Sequence, residues 1–173
     1  MPLIQSIDAV RGVLAAGPVG IGEDHTQPDA RNFVGNLIEG GWVKRLFVEY
    51  QTGWQPHVDD LQAAVTANPV DAVRLRRCID RLLYGQQFRC MAHPLPALIA
   101  SALFNGVDVW CCDHWIGGGS ARFPTRHQSV RTTYYQKVAG AGDGSVILFG
   151  SDHFDDPNYG LDRYIAGLRY YQF

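Results

Sequence analysis

The chain has 173 residues, 46% of them hydrophobic and 18% charged, with a formal net charge of −2. That length favours one domain, residues 1–173, with a sizeable core. The near-neutral balance leaves no electrostatic footprint for nucleic acid or for an anionic membrane surface. No apolar run approaches the roughly 20 residues that a membrane-spanning helix needs. Asp8 and Arg11 interrupt the N-terminal stretch, so no cleaved secretory signal is expected. The expected location is the cytoplasm, or outside the cell by a route that uses no such signal. Cys78, Cys90, Cys111 and Cys112 lack the spacing of a disulfide framework or a Cys-x-x-Cys metal site, and reduced thiols are expected.

In chain order, Ile4, Ile7, Val10, Val13 and Leu14 keep a helical rhythm until Gly17-Pro18. A strand at about 18–23 follows, ending in Glu23-Asp24-His25. Pro28 suits the first turn of a helix whose apolar face is Phe33, Val34, Leu37 and Ile38 and which stops at Gly40-Gly41. The next strand, about 44–50, closes a βαβ unit and ends in Glu49-Tyr50. Residues 51–60 read as a loop long enough to reach over a site. Residues 58–84 read as two helices divided at Asn68-Pro69, the second with a solvated basic face of Arg74, Arg76, Arg77 and Arg81.

His93-Pro94 opens another helix that Asn105-Gly106 stops. A strand at 107–112 runs into Asp113-His114, and Gly117-Gly118-Gly119-Ser120 forms a loop without the Lys-Ser/Thr ending of a phosphate loop. A helix over about 125–139 carries Arg126, His127 and Arg131. After a glycine turn at 140–144 the strand Val146-Ile147-Leu148-Phe149 ends in Gly150-Ser151-Asp152-His153. The tail begins as a helix at Gly160 and finishes in a strand-like aromatic run.

Continuous apolar runs suit strands buried on both faces of a parallel sheet, so the expected fold is α/β, a mainly parallel sheet flanked by helices. Ligands in such sheets bind outside the carboxyl ends of the strands. The strand polarity therefore gathers Glu23, Asp24, His25, Glu49, Asp113, His114, Asp152 and His153 on one rim. Each alone is an ordinary turn or surface residue. Together they form the crowd of carboxylates and imidazoles that acid–base chemistry or a metal site requires.

Gly22-Glu23-Asp24-His25-Thr26-x-Pro28-x-Ala30-Arg31, then Phe47-Val48-Glu49-Tyr50-Gln51, then Gly150-Ser151-Asp152-His153, resembles the erythromycin-esterase/ChaN/TIKI superfamily. That group also includes TraB/PrgY-type proteins and domains of some bacterial toxins and secreted effectors. The resemblance lies in two Gly-x-x-His motifs, a glutamate after the second strand and an arginine in a late helix.

It implies His25 and His153 as the motif histidines, Glu23 as acidic partner and Glu49 as the strand glutamate. For the arginine, Arg131 matches best and Arg126 is the alternative. Asp24, Asp113, His114 and Asp152 would support them. The implied activity is hydrolysis of an ester or peptide bond in a small-molecule or peptide substrate. A divalent metal (Zn, Mn or Co) on His25, Glu49 and His153 would assist. Two alternatives stand beside it. One is a ligand-binding module that takes haem through Tyr50, His57 or His114. The other is a secreted effector or toxin domain with a host protein as partner.

Overall fold

The structure, a computed structural model, describes residues 7–85, 93–114, 116 and 119–173. The apolar runs form β1 (Val19–Glu23), β2 (Arg45–Gln51), β3 (Asp108–Asp113), β4 (Ser145–Gly150) and β5 (Arg169–Gln172). They make one sheet in the order β3-β2-β4-β1-β5, with every pair parallel. The expected α/β fold with a parallel sheet is what the chain adopts. One relation differs. β1 and β2 are not neighbours, because β4, from late in the chain, pairs with both.

The helices are α1 (Ile7–Leu14), α2 (Asp29–Glu39), α3 (Gln55–Val65), α4 (Ala72–Gly85), α5 (Leu95–Phe104), α6 (Phe123–Lys137) and α7 (Asp152–Asp155). Side chains alternate between sheet faces. Val19, Ile21, Leu46, Val48, Val146 and Leu148 enter a large core with residues of α1 to α5. Phe47, Ile147 and Phe149 enter a second core with Val130 and Tyr134 of α6 and Phe154 of α7. Gly20 has a packing reason on this second face. A Cβ there would run into the Phe154 ring and lie 2.9 Å from the Cβ of Tyr170.

The division at Asn68-Pro69 separates α3 from α4, and the four arginines of α4 are exposed as expected. Residues 51–60 are not a loop over the site. A 3-10 turn, Thr52–Trp54, runs straight into α3, whose first turn takes Pro56 without losing a helical hydrogen bond. Gln55 explains the placement. Its amide donates to the Val109 carbonyl at 3.1 Å, and its carbonyl accepts from the Cys111 N–H at 2.7 Å. The edge strand β3 thus has its outer backbone groups covered by a side chain. The tail pairs with β1 as β5, after a short 3-10 turn, Leu161–Arg163. Cys78, Cys111 and Cys112 are free and buried, and Cys90 lies outside the described residues.

Leu148 is 1% exposed on the strand that joins both halves of the sheet. Leu148→Ala should cost about 2–5 kcal/mol in equilibrium denaturation, from lost burial and the cavity left behind. A change under about 1 kcal/mol would mean that this strand is not central to the core.

Candidate active site

β1, β2 and β4 end side by side, at the point where late chain is inserted between early strands. There they open into a cavity of about 890 Å³ lined by Glu23, His25, Glu49, Arg126, Gly150 and His153, among others. Alternation decides what each carboxylate meets. Glu23 continues the face of Val19 and Ile21, so it turns towards α2. Arg31, 0% exposed, donates to it through Nε at 2.7 Å and Nη2 at 3.1 Å, and its Nη1 donates to the His93 carbonyl at 3.0 Å. Glu49 continues the face of Phe47 and turns towards α6. Arg126 donates to Glu49 Oε1 at 2.8 Å and to both oxygens of Asp113 at 2.8 and 2.9 Å. A register shift between Val48 and Gln51 falls at Glu49, where an irregular strand end can re-aim a side chain.

His25 joins the two clamps. Its Nδ1 lies 2.9 Å from Glu23 Oε1 and its Nε2 lies 3.5 Å from Glu49 Oε2. Its side chain is 23% exposed, against 2% for each glutamate, so it presents the site's ionisable chemistry to the cavity. Gly150 permits this approach. Its N–H donates to Glu49 Oε2 at 2.7 Å, and a Cβ there would stand 2.8 Å from His25 Nε2. His153, buried on α7, faces Glu49 Oε1 through Nε2 at 3.3 Å and His127 Nε2 through Nδ1 at 2.8 Å.

Burial alone would raise both glutamates. For Glu23 the bonds from His25 and Arg31 outweigh it and hold the carboxyl below its ordinary value. For Glu49 the hydrogen bond and charge of His153, then His25 and the Gly150 N–H, bring it down to about 2. His25 moves upward: burial pulls its pKa down, but the Glu23 bond and the Glu49 charge raise it further. Burial, with the charge of His153, presses His127 down to about 3.

The structure thus brings together Glu23, His25, Glu49, Asp113, Arg126 and His153. Asp24 and Asp152 are exposed at the cavity mouth, and Asp24 accepts from the N–H and hydroxyl of Thr26 within its own turn. His114 is exposed and does not line the cavity.

Arg131 is a correction. It is exposed and lies over the Tyr135 ring at 5.8 Å, because five residues along a helix turn it about 140° away from Arg126. The expected metal set of His25, Glu49 and His153 finds no support in the arrangement. Among the described residues no group of three or more His, Cys, Asp or Glu side chains is arranged to hold a metal ion. The guanidinium of Arg126 stands as the cation on Glu49, and both Glu49 oxygens already accept hydrogen bonds. The haem ligands do not gather at the cavity either. The Tyr50 hydroxyl donates to the Leu82 carbonyl, and His57 packs on Trp54 at 5.0 Å.

Sequence reading left Arg31 and His127 without a role. Each sits on an otherwise apolar helix face, Arg31 with Val34 and Ile38, His127 with Phe123, Val130 and Tyr134. A charged or polar group at such a position signals a buried partner.

No protein-family model and no curated protein matches the chain. Among solved structures, the type III effector HopBA1 matches with a TM-score of 0.55 at 14% identity, over 88% of this chain and 75% of that one. The second structure was reported to reveal a thiol-protease like catalytic triad in the C-terminal region of Pasteurella multocida toxin. It matches with a TM-score of 0.68 at 10% identity, over 98% of this chain. The chain spans about a quarter of that toxin chain, 24%. At such identities the likeness is one of fold.

Two titrations follow from these environments. The His25 Cε1–H resonance should titrate above 6.5, and Glu23→Gln should lower its midpoint by removing the strongest upward influence. A midpoint below 6.5 in the unmodified protein would contradict the bridging geometry. Glu49 is depressed on folding, so its stabilisation is present above the unfolded value of 4.5 and is lost as pH falls towards about 2. Denaturant midpoints measured from pH 6 to about pH 2 should fall most steeply in that window. A flat profile there would mean that Glu49 is not held ionised.

Proposed function

We propose that this chain is a hydrolase that cleaves an ester or peptide bond by general base catalysis at His25. The observation that carries the reading is one imidazole, partly open to the cavity, whose Nδ1 is held by a glutamate locked in turn by a buried arginine. A carboxylate on Nδ1–H fixes the tautomer, and Nε2 serves as the base at 3.5 Å from Glu49 Oε2, the longer of the two imidazole approaches to that carboxylate. Water then attacks the substrate carbonyl carbon while its proton passes to His25 Nε2. Glu23 and Glu49 stabilise the imidazolium that forms. The C–O or C–N bond breaks as the imidazolium returns the proton to the leaving alkoxide or amine.

Arg126 meets the negative charge that develops on the carbonyl oxygen. Asp113 and Glu49 occupy its Nε and Nη2, and Nη1 makes no hydrogen bond to a described residue. A charged donor preorganised where negative charge develops is among the larger catalytic contributions available. A thiol nucleophile has less support. Burial pushes Cys111 up to about 12 and Cys112 well above the ordinary thiol value, so both stay protonated.

A second reading concerns where such an activity is used. The fold shared with a type III effector and with a toxin region supports a secreted effector or toxin domain whose substrate is a host molecule. The resemblance to the erythromycin-esterase/ChaN/TIKI superfamily agrees with that use, since the group includes such domains.

The test is hydrolysis of a p-nitrophenyl ester series and of fluorescent casein, together with new peptide termini in a host-cell extract. His25→Asn should lower any activity found by roughly 10²-fold or more, the scale of losing a general base. The acid limb of the rate profile should lie above 6.5, because His25 must lose its proton and its pKa is raised. Equal rates for wild type and His25→Asn on every substrate would remove the hydrolase reading.

A further inference from the structure

His127 has no part in the mechanism above, yet it is 0% exposed and directly contacts a residue of the site. Its ring lies against Phe123 at 5.2 Å and meets Tyr164 edge-on at 5.4 Å, so packing fixes its plane. Two imidazole nitrogens 2.8 Å apart form a hydrogen bond only if one carries hydrogen and the other does not. Glu49 decides which. Its carboxylate can only accept, and it already takes the Arg126 and Gly150 hydrogens. His153 Nε2 faces Glu49 Oε1 at 3.3 Å, where a bare lone pair would oppose the oxygen's own. The hydrogen of uncharged His153 therefore sits on Nε2, its Nδ1 is bare, and the bond to Nδ1 must come from His127 Nε2–H.

We propose that His127 is a positioning residue that acts through His153, donating Nε2–H to its Nδ1 and so holding the tautomer whose Nε2–H faces Glu49. The inference rests on the reading of His153 as part of an acid–base site only for its functional meaning, since the hydrogen pattern is a property of the resting protein. It also accounts for the adjacency of Arg126 and His127 on α6. Consecutive helical residues diverge by about 100°, so one turn of helix holds the carboxylate from one side and its imidazole from the other.

The experiment is a long-range proton–nitrogen correlation spectrum of ring-labelled protein, recorded at alkaline pH. Such spectra distinguish Nδ1–H from Nε2–H directly. Wild type should show the Nε2–H form at His153 and Nε2–H at His127. In His127→Leu, which keeps bulk and removes the donor, the Nδ1–H form of His153 should rise about five-fold relative to Nε2–H, the factor of one ordinary net hydrogen bond. His127→Gln, whose amide can replace the lost donor, should restore the wild-type ratio. Nδ1–H at His153 in wild type, or the same ratio in all three proteins, overturns the proposal. If His127→Leu does not fold, the wild-type spectrum and His127→Gln decide it alone. A correct tautomer in a protein that hydrolyses nothing would refute the proposed activity and leave this assignment standing.

Discussion

Two buried carboxylates that stay ionised organise this molecule. Moving a carboxylate out of water is expensive, and the expense is recovered only with an opposite charge and a full set of hydrogen bonds. Glu23 has Arg31 from one face of the sheet, and Glu49 has Arg126 from the other. Each arginine comes from a helix packed on the face towards which its glutamate's strand position points. The clamps therefore tie α2 and α6 to the strand ends from opposite sides. His25 spans the gap between them, and its raised pKa is a result of that position.

This arrangement also bears on the metal question. A divalent ion on Glu49 would compete with a guanidinium that already neutralises two carboxylates, Glu49 and Asp113. The site supplies its positive charge through arginine, a donor that keeps its proton at every physiological pH. The proposed chemistry depends on where protons sit on His25, His153 and His127.

The inserted strand gives the site its geometry. β4 pairs with β1 on one side and β2 on the other, which puts Gly150 between Glu23 and Glu49. A residue with any side chain at 150 would push into the His25 ring. The Ser151 N–H then donates to the Glu23 carbonyl at 3.0 Å, which ties α7 to the end of β1 and delivers His153 back over Glu49. The same fold is recognisable in an effector and a toxin region at 14% and 10% identity. Such persistence is expected when apolar periodicity and strand order, rather than particular side chains, define the sheet.

Periodicity and charge placement in the sequence were enough to determine the four main strands, the break at Asn68-Pro69, the parallel sheet and the rim on which Glu23, His25, Glu49 and His153 gather. These features are local, or follow from strand polarity alone. Residues 51–60 escaped that logic because their helix is held by Gln55 bonding to β3, a contact some fifty-five residues distant along the chain. Arg126 and Arg131 share one helix and differ only in the direction they face, which sequence spacing cannot settle without knowing where α6 packs. Arg31 and His127 interrupt apolar helix faces, and only tertiary packing sets a carboxylate beside one and an imidazole beside the other. The sequence determined which groups reach the strand ends. Only the tertiary structure decided which of them share a proton, because that depends on distances of about 3 Å between residues far apart in the chain.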